Sequence, residues 1–154
     1  MGFSRAFGNA AQIAMMTLMQ NSPQDLYPGK PVVSWLQAGS WQECADPYPP
    51  GVADEWVQPT QRVSKSAFAL RVKGNSMEPE FTEGDTIIVD PEREALHANF
   101  VVVKLEDAQE ATFKQLIIDG GQKFLRPLNA HYPVMAINGN ATIVGVVVAK
   151  MKNY

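Results

Sequence analysis

Ala111-Thr112-Phe113-Lys114-Gln115-Leu116-Ile117-Ile118 runs directly into Asp119-Gly120-Gly121 and then Lys123-Phe124-Leu125. The first eight residues alternate in the period-two manner of a strand. Asp-Gly-Gly is the chemistry of a hairpin turn, and the apolar residues after it read as the returning strand. Working outward, the same pattern recurs about every ten residues. Phe68 to Val72 precedes a turn at Gly74–Pro79, and Thr86 to Val89 lies between Gly84-Asp85 and Asp90-Pro91. Phe100 to Leu105 is β-branched, while Val134 to Ile137 and Thr142 to Ala149 flank Asn138-Gly139-Asn140. Many short strands separated by turn residues predict a mostly β fold of antiparallel sheets. Only Met77 to Phe81 and Glu92 to Leu96 read as short helical turns.

With 154 residues the chain suits one domain, and 45% hydrophobic residues are enough for a real core. The formal charge of −3 and the lack of a Lys/Arg cluster argue against a nucleic-acid surface on these residues. Cys44 is the single cysteine, so no internal disulfide forms, and a reducing, cytoplasmic setting is expected. Its acidic neighbours Glu43 and Asp46 disfavour a reactive thiolate. Ala10 to Met19 is too short and too interrupted to cross a bilayer. Ile13, Met16 and Met19 suggest a short amphipathic helix ended by Ser22-Pro23. Residues 1–30 are therefore expected to be an arm or linker. From Tyr27 to Pro59 prolines and glycines exclude long helices. Within that region Val32 to Gln37 reads as an extended run leading to Ala38-Gly39.

Ser76 and Lys114 carry the chemistry. A serine hydroxyl needs a base to become a nucleophile. His97 and His131 lie in polar turns without the carboxylate arrangement of a triad, so both are expected at the surface. A lysine replaces histidine only when neutral. With a free pKa of about 10.4, only about one in 10³ to 10⁴ is neutral at pH 7, and burial corrects this. On a strand, Thr112 shares a side with Lys114 and is placed to orient the amine. Ser76 opens a turn whose amides, its own and that of Asn75, are suited to form an oxyanion hole.

The ordered set Gly74-Asn75-Ser76-Met77, Glu83-Gly84-Asp85, Val89-Asp90-Pro91 and Thr112-Phe113-Lys114-Gln115-Leu116 resembles the C-terminal domain of LexA and the lambdoid phage repressors. Val33 to Gly39, Leu125 to Pro133 and Val144 to Val147 extend the likeness over Pro31 to the C-terminus. Thirty-eight residues separate Ala38 from Ser76, and thirty-eight separate Ser76 from Lys114, as in that family.

The resemblance implies a twisted antiparallel β domain over residues 31–154, with a cleavage loop at about 31–45. It implies a Ser76–Lys114 dyad that cuts the Ala38–Gly39 bond of its own chain once, without metal or cofactor. It also implies a homodimer or higher oligomer, and stimulation by RecA filaments on single-stranded DNA during the SOS response. Cleavage would separate the DNA-binding half of a transcriptional repressor from its dimerising half. The stretch before Pro31 is too short for the family's helix-turn-helix domain, so operator binding is expected only through a domain absent here. Two conformers are expected, with the cleavage loop either away from Ser76 or docked on it. Ile143 to Ala149 is the expected dimer edge. Two other readings fit the same residues: a UmuD-like self-processing polymerase accessory subunit, or an oligomerisation module in which Ser76 and Lys114 are inert.

Overall fold

A computed structural model describes residues 28–41 and 53–152. The helix expected within the first thirty residues and Cys44 lie outside them. The described chain is built on a seven-stranded, wholly antiparallel sheet. Its strands are β3 (Phe68–Arg71), β4 (Thr86–Asp90), β5 (Phe100–Leu105), β6 (Ala111–Asp119), β7 (Gln122–Arg126), β8 (Met135–Ile137) and β9 (Ala141–Met151). Their spatial order is β3-β4-β9-β5-β6-β7-β8. A small antiparallel pair, β1 (Lys30–Pro31) with β2 (Trp56–Val57), precedes it.

The alternation along β6 was a sound guide. Ala111 and Phe113 are buried while Thr112 and Lys114 are only partly so. Asp119-Gly120-Gly121-Gln122 closes the β6–β7 hairpin, with both glycines at positive φ. Central strand β5 buries Val101, Val102 and Val103 completely, so it is covered on both sides. Val102 joins one apolar cluster with Phe113, Met77, Phe81 and Val89. Val101 and Val103 join a second with Leu116, Leu125 and Val146. Phe81 sits edge-on to Phe113 at 4.7 Å and to Phe100 at 4.9 Å, a favourable quadrupole arrangement.

Two sequence expectations change. Ile143 to Ala149 is not an edge: β9 lies between β4 and β5 and pairs with both. Glu92 to Leu96 forms no helix; a turn closed from the Arg93 amide to the Asp90 carbonyl stands there instead. β9 shifts register against β4 between Val147 and Ala149 and against β5 between Ile143 and Gly145, so Gly145 borders the second shift. A β-carbon added there would stand 2.7 Å from Val89 Cγ1 and 3.1 Å from the Asp90 carbonyl carbon. Valine is stiff about χ1 and the backbone does not yield cheaply. Gly145→Ala is therefore expected to lower stability by about 1–3 kcal/mol, read as a shift of the urea midpoint at unchanged slope.

Candidate active site

Ser76 is presented by the turn that follows β3. Gly74 adopts φ +74°, which a β-carbon resists, and its amide donates to Glu83 Oε1 at 3.1 Å. Met77 and Phe81 plunge into the core at 2% and 4% exposure, and the Phe81 amide donates to the Met77 carbonyl at 3.0 Å. Ser76 thus sits at the rim, between exposed Asn75 and buried Met77. The far side of the turn is held by β9. Lys150 Nζ donates to the Glu80 carbonyl at 2.7 Å and lies 5.4 Å above the Phe81 ring.

A second clamp comes from the loop after β7. The Asn129 amide donates to the Ser76 carbonyl at 2.9 Å, and its Nδ2 to the Asn75 carbonyl at 3.0 Å. The Tyr132 hydroxyl donates to Asn75 Oδ1 at 2.5 Å. In a trans peptide the N–H points opposite to its carbonyl. Turning the Asn75 and Ser76 carbonyls toward Asn129 therefore aims the Ser76 and Met77 amides the other way. Asn129 and Tyr132 had no assigned role in the sequence. Their partners are more than fifty positions away, and only the Leu125–Pro133 likeness marked the loop.

Ser76 and Thr112 line one cleft of about 140 Å³, together with Trp35, Lys73, Met77 and Glu110. Lys114, two positions along β6, is not part of that lining. It faces Val101 across the β5–β6 ladder, and β7 stops pairing one residue later, at Gln115 with Arg126. No ion pair involves Lys114 among the described residues. Loss of hydration on burial holds its amine below the usual lysine range, as expected for a cation that keeps no counter-charge. His97 and His131 are exposed, and His97 Nδ1 accepts the Ile118 amide at 2.9 Å.

The Ala38–Gly39 peptide is not extended. Trp35–Gly39 forms a short helix, α1. Ser34 caps it: Ser34 Oγ accepts the Gln37 amide at 3.1 Å, and Gln37 Oε1 accepts the Ser34 amide at 2.9 Å. This reciprocal box explains why the run fails to be a strand. The Ser-x-x-Gln signature was in the sequence and outweighs the valines before it. Ala38 is completely buried. Gly39 is pressed against the start of β6, where an added β-carbon would meet the Gln109 carbonyl oxygen at 2.4 Å. The structure therefore sets Ala38–Gly39 against Gln109–Ala111, which border the cleft of Ser76 and Thr112.

With that geometry in place, residues 31–148 match the family described as Peptidase S24-like. The chain belongs to this family of self-cleaving serine peptidases and carries the LexA-like domain of phage-type repressors. It is 42% identical over 151 residues to repressor protein C2 of Salmonella phage P22, covering 95% of this chain and 68% of that protein. It is 49% identical over 122 residues to the HTH-type transcriptional regulator for conjugative element SXT of Vibrio cholerae, covering 76% of this chain. A LexA repressor of Methylococcus capsulatus is 36% identical over 75 residues, 48% of this chain and 36% of that protein. The chain spans 57% of the length of the SXT regulator. Among the described residues no helix is long and apolar enough to cross a membrane, and no group of three or more His, Cys, Asp and Glu is arranged to hold a metal ion.

The lowered Lys114 pKa has a thermodynamic sign. The folded chain binds its proton less readily than the unfolded chain, so stability rises with pH as pH passes from the lowered folded pKa toward the free-lysine value of about 10.4. In a Ser76→Ala background, which removes self-cleavage as a complication, Lys114→Met is expected to raise stability at pH 7. It should also flatten the rise seen in alkali. Urea unfolding at pH 7, 8.5 and 10 measures both.

Proposed function

We propose that this domain inactivates a transcriptional repressor by cutting its own Ala38–Gly39 bond, with Ser76 as nucleophile and Lys114 as base. The observation that carries the reading is the joint placement of Ser76 and Thr112 in one cleft with a desolvated lysine on the same strand. Neutral Lys114 takes the Ser76 hydroxyl proton as Oγ bonds to the Ala38 carbonyl carbon. The amides of Ser76 and its neighbours Asn75 and Met77 receive the oxyanion. Collapse breaks the Ala38–Gly39 C–N bond, and the proton held by Lys114 passes to the departing Gly39 amine. Water then hydrolyses the Ala38–Ser76 ester, with Lys114 again as base. Thr112 orients the amine. The reaction occurs in cis and once per chain.

The helical turn α1 is the resting conformer. A nucleophile must approach its carbonyl to about 3–3.5 Å, and the Ala38 carbonyl is turned into the cap, toward the Ser40 amide. The turn opens before cleavage. Filaments of RecA on single-stranded DNA raise the open, docked population and supply no catalytic group. Operator binding belongs to an N-terminal domain outside these residues. Self-association to a dimer or higher oligomer uses a surface other than the enclosed β9; β8 presents a free edge.

Incubation at pH 7 to 10 followed by mass measurement tests this. Fragments 1–38 and 39–154 are expected, with the rate rising about tenfold per pH unit until Lys114 is neutral. Ser76→Ala and Lys114→Ala should stay intact. Intact parent protein after prolonged exposure to pH 10 would remove the peptidase reading and leave an assembly module. Ser34→Ala, which removes a cap worth about 1 kcal/mol, should speed cleavage about fivefold, because the turn opens more readily. A rate unchanged by that substitution would detach α1 from the mechanism.

A further inference from the structure

Two tryptophans flank the bond assigned to cleavage, and both are tied to the strand that leads to Ser76. Trp35 stands three residues before Ala38, and its Nε1 donates to the Arg71 carbonyl at 2.9 Å. Trp41 stands two residues after Gly39, and its Nε1 donates to the Ser66 carbonyl at 2.8 Å. Trp41 is 5% exposed and tilts against Phe68 at 4.5 Å. Trp35 packs on the main apolar cluster and lines the Ser76 cleft. Arg71 ends β3, and Ser76 follows five residues later. Val33 adds a third tie, donating its amide to the Ala69 carbonyl at 2.9 Å.

Between the two indoles only residues 36–40 carry the helical turn. Six helical steps advance about 9 Å, whereas six extended residues reach about 20 Å. Opening α1 therefore releases enough chain for the Ala38–Gly39 peptide to bulge toward Ser76 while both indoles stay seated. When α1 opens, the Ser34 cap and the burial of Ala38 no longer hold the segment, so the indole ties carry more of its attachment in the open state than in the helical one.

We propose that Trp35 and Trp41 are positioning residues that bracket the scissile peptide. They hold it at high effective concentration beside Ser76 through indole hydrogen bonds to Arg71 at the end of β3 and to Ser66 just ahead of it. The inference rests on the Ser76 reading above. It separates two parts of the reaction: the reactivity of the serine, which the indoles leave alone, and the delivery of the peptide, which they govern.

Trp35→Phe and Trp41→Phe keep an aromatic ring in the core, remove the N–H donor and shorten the ring system. Self-cleavage at pH 9 is measured by mass in the full chain. A fluorophosphonate probe, which phosphonylates Ser76 Oγ with loss of fluoride, reports the serine independently. Each Phe variant is expected to cleave about fivefold more slowly, as for one hydrogen bond lost. For Trp41→Phe, whose ring does not line the Ser76 cleft, probe labelling should be at least as fast as in the parent, with the same pH profile. The double Phe variant should be slowed about 25-fold. Cleavage at or above the parent rate in both single variants overturns the bracket. So does a parallel fall in labelling, which marks a merely structural role. Absence of both cleavage and labelling in the parent overturns the Ser76 reading itself, and the bracket with it; a labelled parent whose cleavage rate does not depend on the indoles overturns the bracket alone.

Discussion

A lysine amine stripped of water and given no counter-charge is the constraint on which the site depends. Lys114 lies on the half of β6 that pairs with β5, Ala111 to Gln115, and one residue short of the half that pairs with β7. Its side chain is therefore partly roofed, with Val101 opposite and wholly buried. Lysines elsewhere in the chain show the contrast. Lys152 sits 3.3 Å from Asp85 and Lys150 lies near Glu80, so each has a carboxylate partner. Without such a partner, burial acts on Lys114 in one direction only.

Strand β3 brings the proposed substrate segment and the proposed nucleophile into one neighbourhood. Its backbone carbonyls at Ala69 and Arg71, and that of Ser66 just ahead of it, receive donors from the segment carrying Ala38–Gly39. The same strand runs on into the Ser76 turn, which Asn129 and Tyr132 hold from outside and Met77 and Phe81 from within. In the proposed reaction, cleavage in cis would follow from topology, because the segment with Ala38–Gly39 and the turn with Ser76 both attach to β3 or the residues just ahead of it.

The strands were legible to within a few residues, because alternation and turn chemistry are local signals and the sheet agrees with them. β5 matches its expected range, Phe100–Leu105, and β6 extends one residue beyond Ile118. The order of strands was not legible. The apolar stretch from Ile143 to Ala149 looks alike at an edge or in the middle, and only pairing with β4 and β5 decides. In α1 a short capping motif overrode the β-branched residues ahead of it. Ser34-x-x-Gln37 should have weighed more than Val32 and Val33. Ser76, Thr112 and Lys114 stood out through their motifs. The clamp by Asn129 and the two indole ties did not, because side-chain bonds to distant carbonyls leave no periodicity to read.

The most direct measurement is an NMR titration of the Lys114 side chain, labelled at Cε, in the Ser76→Ala chain. The account expects the amine to lose its proton well below the pKa of about 10.4 of a free lysine. A transition at or above that value would mean the amine is hydrated or paired in solution, and would contradict its use as the base.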